Sequence, residues 1–197
     1  MAYILNTMAP PDEFAEESPT DVSAESTHHH LGPGADFDPT ANGAGNLGTL
    51  WRRAWDANPD AVQIHDPTSG WHTRGKLERE SALRAGRLAK AGLQPGDRIL
   101  LSAESSIDLV LSYIAALRMG LVVIPNNTAY GERELLHVVS DARPRAAIVD
   151  APDRREALVR ADPDLIVVAP ELDLPDGDTP ELDSSEPDSA ALICYTS

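Results

Sequence analysis

With 197 residues and a formal net charge of −16, the chain is long enough for one cored domain and a tail. The charge is uneven: residues 1–46 and 161–197 carry acids and no Lys or Arg, while the middle is close to neutral. Such a chain does not bind nucleic acid through its net field, and Arg118 interrupts the best apolar run before it reaches the roughly 18 residues of a membrane span.

The start, Met1-Ala-Tyr-Ile-Leu5, has no basic segment followed by a long apolar one. No signal peptide is therefore expected, and a soluble cytoplasmic protein is. Residues 1–45 are rich in Pro, Glu, Asp, Ser and Gly and poor in large apolar groups, which predicts a disordered acidic tail. Within it, His28-His29-His30 has neither fixed geometry nor supporting partners, so no metal site is expected. Gly43-Ala-Gly45-Asn-Leu-Gly48 matches the dinucleotide fingerprint in letters. The residues before it, Asp36 to Asn42, cannot make the buried strand that fingerprint needs, so a linker is expected instead.

The domain begins at residue 46. Leu47, Leu50, Trp51, Ala54 and Trp55 recur at helical spacing behind Asn46 as N-cap, and Pro59 closes the segment. Val62 and Ile64 alternate with polar residues, and Pro67-Thr-Ser-Gly70 turns the chain back to Trp71-His72, predicting a hairpin. Thr73 caps a helix that runs to about Ala91 and ends at Gly92. Its charges, Lys76, Arg79, Arg87 and Lys90 against Glu78 and Glu80, predict a solvated face.

Residues 98–150 then read as strand, helix, strand, helix, strand. The strands are Arg98-Ile-Leu-Leu-Ser102, Leu121-Val-Val-Ile-Pro125 and Ala146-Ala-Ile-Val-Asp150; the helices are residues 106–119 and 132–141. Short apolar runs separated by helix-length segments imply a parallel sheet buried on both faces, with right-handed crossovers. The first helix is apolar nearly all round, and Ile114 on it is expected to face the sheet. The second shows one stripe, Leu135, Val138, Val139 and Ala142, with Gly131 at its start and Pro144 at its end. Residues 153–159 predict a further helix and Leu165-Ile-Val-Val168 a fourth strand. Residues 169–189 predict an acidic loop, and residues 190–195 a last strand that buries Cys194, the single cysteine, as an inert thiol.

Chemistry-bearing motifs are scarce: there is no G-x-S-x-G, C-x-x-C, H-E-x-x-H or G-x-x-x-x-G-K-[ST]. His65, His72 and His137 stand apart, and the two lysines lie outside any glycine-rich loop. The residues alone reach an open α/β sheet with room for a small ligand at the strand C-termini.

Four stretches go further. Gly92-Leu-Gln-Pro-Gly-Asp-Arg98, Ala116-Leu-Arg-Met-Gly120 followed by Val123-Ile-Pro125, Asn127-Thr-Ala-Tyr130 with Glu134-Leu135 and Ser140-Asp-Ala-Arg-Pro144, and Ala191-Leu-Ile-Cys-Tyr-Thr-Ser197 come in order. Together they resemble the start of the adenylate-forming (AMP-binding) superfamily, in the form acyl-CoA synthetases have it. One element departs: His72-Thr-Arg-Gly-Lys-Leu77 stands where the family has Thr-Tyr-x-Glu-Leu, which loosens the subfamily assignment.

The resemblance implies a Rossmann-like parallel sheet with flanking helices over residues 46–197, incomplete at its C-terminus, and activation of a carboxylic acid by ATP and Mg²⁺ with coenzyme A as acceptor. It implies that Thr196 and Ser197 open a phosphate-binding loop and touch the nucleotide. The remaining catalytic groups would lie in a missing C-terminal part, so neither a catalytic residue nor a metal ligand is expected within these residues. A peptide-synthetase adenylation domain, and a non-catalytic α/β interaction or nucleotide-binding module, are the alternatives.

Overall fold

The structure is a computed structural model that describes residues 46–195 and, before them, the backbone of Tyr3–Ile4. The rest of the predicted tail, with His28, His29 and His30, lies outside the described residues, as do Thr196 and Ser197.

Two sheets form. The first is antiparallel, in the order β1 (Tyr3–Ile4), β2 (Val62–Asp66), β3 (Gly70–Thr73), with Tyr3 opposite His65 and a register shift between Val62 and Ile64. Gly70 makes the turn possible at φ +80°. The composition of residues 1–45 gave no sign of β1. The second sheet is parallel, in the order β5 (Val122–Pro125), β4 (Arg98–Ser102), β6 (Ala146–Val149), β7 (Ile166–Val168).

Helices α1 (Leu47–Ala57), α2 (Arg74–Lys90) and α3 (Ile107–Arg118) are capped by side chains: Asn46 accepts from Thr49 N, Thr73 from Lys76 N and Ser106 from Leu109 N. Helix α4 (Glu132–Ala142) starts at Gly131 without such a cap and ends in a left-handed Arg143, since Pro144 bars another turn. Helix α5 (Pro152–Ala161) places proline in its first turn, where a missing N–H costs nothing.

The parallel sheet is covered on both faces. On one, Ile99, Leu101, Val123, Ala146, Ile148 and Val168 pack with Ala85 and Leu88 of α2 and Ala115, Ala116 and Met119 of α3 and its cap. On the other, Leu100, Ile124, Ala147 and Val149 meet Leu135, Val138, Val139 and Ala142 of α4 and Leu158 of α5. This explains the continuous apolar strands. A third cluster joins the hairpin to the helices through Trp55, Ile64, Leu77, Ile107, Leu111 and Ile114. Ile114 is thus buried but faces the hairpin and α1, contrary to expectation. Helical geometry gives the sheet to Ala115 and Ala116, whose small side chains let α3 come close.

Two further expectations are corrected. Residues 190–195 form no full strand: a single parallel bridge joins Leu192 to Val123. Cys194 is exposed, because no described residue covers that side of so short a pairing. The face of α2 is also less solvated than its charges suggested. Arg87 reaches Asp176 and Leu172 O, Lys90 reaches Asp176 O, and Arg84 is buried between Glu80 and Asp108. Burial pushes the Arg84 pKa down and the two carboxylates oppose it.

Among the described residues no helix is long and apolar enough to cross a membrane.

Candidate functional site

In an open parallel sheet, ligands bind beyond the strand C-termini where the strand order reverses. Here the chain leaves β4 for β5 over one face and returns past β4 to β6 over the other, so the reversal lies between β4 and β6. The residues gathered there are Ser102 at the end of β4, Asn126 after β5, Asp150 after β6 and Arg154 in the first turn of α5.

These residues chiefly satisfy one another. Arg154 donates to Ser102 Oγ (2.7 Å), Tyr130 O (2.7 Å) and Thr128 O, fastening the β5–α4 loop to the sheet. Asn126 Nδ2 donates to Ser102 Oγ and Asn127 O (both 3.3 Å), while its buried Oδ1 has no partner. Asp150 Oδ2 accepts from Glu104 N (2.7 Å), which closes the crevice between β4 and β6. Ser102 is buried beside a guanidinium and an amide, and among the described residues no base bonds to it.

Neither an ATP phosphate nor Mg²⁺ fits this corner. Arg154 spends donors on Ser102 Oγ and two backbone carbonyls, and Asp150 already accepts from Glu104 N. Among the described residues no group of three or more His, Cys, Asp and Glu is placed to hold a metal.

The residues just before Thr196 and Ser197 lie against β5. Val123 N–H donates to Ala191 O and Ile193 N–H to Val123 O, both at 2.9 Å, so residues 191–193 run parallel to the free edge of β5. The Tyr195 hydroxyl then donates to Asp141 of α4 (2.5 Å), a bond that holds its pKa above the ordinary tyrosine value. Of the other singled-out residues, Gly43 and Gly45 lie outside the described residues. Gly48 turns out to be a packing glycine in α1, since a Cβ there would meet Asp183 Oδ1 at 2.1 Å. His65 lies edge-on to Trp71, and His137 is exposed.

His72 is buried against Ser69. Asp66 Oδ1 accepts from Ser69 Oγ (2.8 Å), so Ser69 must accept from His72 Nε2 (2.7 Å), and His72 Nδ1 is left buried without a partner. Burial, with Lys76 nearby, lowers the His72 pKa against the pull of Asp66, Asp108 and Glu80. Bonds from the Ser69 backbone and hydroxyl lower that of Asp66.

Sequence reasoning missed a network at the opposite edge. Arg118, inside the Ala116 to Gly120 motif, is buried with Nε 3.1 Å from Asp183 Oδ1 and Nη2 3.1 Å from Oδ2. Its Nη1 donates to Ser81 Oγ (2.8 Å) and Glu78 O (3.1 Å), and the guanidinium lies 5.5 Å above Trp55. An open cleft of about 860 Å³ lies alongside, between α1 and residues 183–187. It sits at the amino-terminal edge of the sheet, away from the reversal point. An arginine in a mostly apolar helix, 65 positions from an aspartate in a proline-rich loop, gave no local signal of the pair.

A family model described as AMP-binding enzyme matches residues 51–197. With this fold, the match shows that the chain belongs to the AMP-binding enzyme family and carries its N-terminal region. A feruloyl-CoA synthase of Amycolatopsis sp is 32% identical over 127 residues, covering 64% of this chain and 26% of that protein. A probable non-canonical nonribosomal peptide synthetase of Salinispora arenicola (strain CNS-205) is 28% identical over 154 residues, covering 77% of this chain and 2% of that protein. Among solved structures, ATP-bound MatB from Rhodopseudomonas palustris has a TM-score of 0.66 at 25% identity, covering 76% of this chain and 32% of that one. The chain therefore spans a third or less of each of these relatives.

Proposed function

We propose that these residues are the N-terminal part of an ATP-dependent acyl-CoA synthetase. In that reaction a carboxylate oxygen attacks the α-phosphorus of ATP and pyrophosphate leaves. The thiol of coenzyme A then attacks the acyl carbon, AMP leaves, and the thiol proton passes to solvent. The reading rests on the family match together with residues 191–193 lying parallel to β5, which aims the chain toward the phosphate loop that Thr196 and Ser197 would open. Coenzyme A as acceptor is favoured by the Asn127 to Tyr130 stretch and by the likeness to a feruloyl-CoA synthase. A cytoplasmic location is part of this reading. The described residues supply the scaffold: they bury the sheet, fasten the β5–α4 loop and lead the chain to the phosphates. Catalytic groups and the metal-holding acid belong to the remainder of the enzyme.

Pyrophosphate exchange into ATP tests this across a panel of carboxylic acids. Removing one preorganised donor already costs orders of magnitude, so residues 1–197 alone should give no exchange and the protein in its full natural length should give it. Exchange by residues 1–197 alone would place the active site within them, and none by the longer protein would end the enzyme reading. The likeness to the Salinispora peptide synthetase supports a second acceptor, a carrier-protein thiol. Product formation with coenzyme A, and not with a phosphopantetheine-loaded carrier protein, is the expected outcome.

A further inference from the structure

Residues 190–195 are held to β5 by two backbone hydrogen bonds, Val123 N to Ala191 O and Ile193 N to Val123 O. Two such bonds do not fix a register, because a one-residue slip merely exchanges the faces of a strand. Side chains on one face help: Ile193 and Tyr195 pack against the α4 side of the core and the Tyr195 hydroxyl donates to Asp141, while Leu192 and Cys194 on the other face are exposed. These contacts hold the far end of the segment, and its near end has an anchor of its own.

Upstream, the chain is pinned at Asp183. Its buried carboxylate sits in the two-pronged grip of Arg118, and its N–H donates to Arg118 O (2.7 Å). Asn46 Nδ2 donates to Asp183 O (2.9 Å) and Ser185 O (2.6 Å). Gly48 leaves room for the carboxylate at a separation no side chain would allow. Asp183 also holds a left-handed φ of 61°, a conformation that persists at a non-glycine residue when its surroundings over-determine it. Arg118 is fixed in turn by Ser81, Glu78 O and the face of Trp55. Thus α1, α2 and α3 together set one point in the loop. A turn closed by Ser189 N to Glu186 O (3.0 Å) then carries the chain to the bridge at Leu192.

A buried ion pair is a weak source of net stability, and an apolar pair of similar volume often serves as well. A bidentate pair does impose a single geometry. We propose that Arg118 and Asp183 are positioning residues. With Asn46, and alongside the Tyr195–Asp141 bond at the far end, they set the register of residues 190–195 on β5, and so where residue 195 is placed. In the enzyme proposed above, the residues that follow it approach the phosphates; the activity readout below rests on that reading and the register readout does not.

Hydrogen exchange on the protein in its full natural length tests the proposal, with Asp183→Asn and the double variant Arg118→Met/Asp183→Leu. The double variant leaves no unpaired charge in the core, so the fold is expected to persist. The Val123 and Ile193 amides should exchange at least about tenfold faster in both variants, while the ladder amides of β4 and β6 keep wild-type rates. Wild-type rates at Val123 and Ile193 in the double variant would overturn the proposal. Should both variants lose the ladder as well, Asn46→Ala removes three hydrogen bonds, two to the loop and the α1 cap, without exposing a charge. It should speed the same two amides, and unchanged rates there would equally overturn the idea. In pyrophosphate exchange, the double variant should lower kcat more than it raises KM for ATP. If the wild-type protein shows no exchange with any acid, the enzyme reading fails and the amide rates decide this proposal alone.

Discussion

Ile114 offers a test of how the helices meet the hairpin. It is 6% exposed and packs with Trp55, Ile64, Leu77, Ile107 and Leu111, a cluster separate from both faces of the parallel sheet. Ile114→Ala removes three side-chain carbons, a transfer loss of about 2.4 kcal/mol at about 0.8 kcal/mol per buried carbon. The cavity left behind adds to this, less whatever the cluster recovers by collapsing. The hairpin is a thin layer and can shift, so the total should stay near 3 kcal/mol, inside the roughly 2–5 kcal/mol seen for such truncations. Urea unfolding of the full-length protein, followed by Trp fluorescence and far-ultraviolet dichroism, should show a lower midpoint with an unchanged slope. Amides around Ile64 and His72 should lose protection before those of β4 and β6. An unchanged midpoint would mean that Ile114 is not packed as described. Equal loss of protection in the parallel sheet would mean that the hairpin cluster is not a separate unit.

Gly48→Ala should destabilise by about 1–3 kcal/mol although alanine is the better helix former, because the new Cβ meets Asp183 Oδ1 at 2.1 Å and Arg118 holds that carboxylate in place. A melting temperature that rises, as helix propensity alone predicts, would show that the loop yields freely. Protonating His72 would bury an Nδ1–H without an acceptor, so its folded pKa lies below the unfolded value of 6.5. The unfolded chain then binds the proton more readily, and this contribution to stability is complete above about pH 6.5 and lost as pH falls toward the folded pKa. Unfolding free energies from pH 8 to 5 should decline more steeply for the wild type than for His72→Leu; parallel profiles would contradict the buried neutral ring. Asp66, whose pKa is also lowered, adds a second loss only below the ordinary aspartate value of 3.8.

Much of the fold was legible because its signals are local. Apolar runs bounded by glycine, proline and cap residues marked β4 to β7. Asn46 and Thr73 announced two helices, since a cap acts on the N–H groups of the very next turn. The motif residues from Gly92 to Pro144 pointed to the family, and the doubly covered parallel sheet agrees. For the site the sequence went less far. Thr196 and Ser197 could be singled out by resemblance alone, and they lie outside the described residues.

The sequence by itself determined where strands and helices lie and that the sheet is covered on both faces, since period and propensity depend on near neighbours. Tertiary structure decided which faces meet and which polar groups pair. Ile114 and Ala115 are adjacent in α3 and equally apolar, yet one meets the hairpin and the other the sheet. Arg118 and Arg133 are both helical arginines; one is buried on Asp183, the other is 95% exposed. Cys194 sits in an apolar run and is still exposed, because the β5 edge pairs with it through one bridge. In each case the outcome depends on a partner brought in from far along the chain, and no local pattern encodes that partner's position.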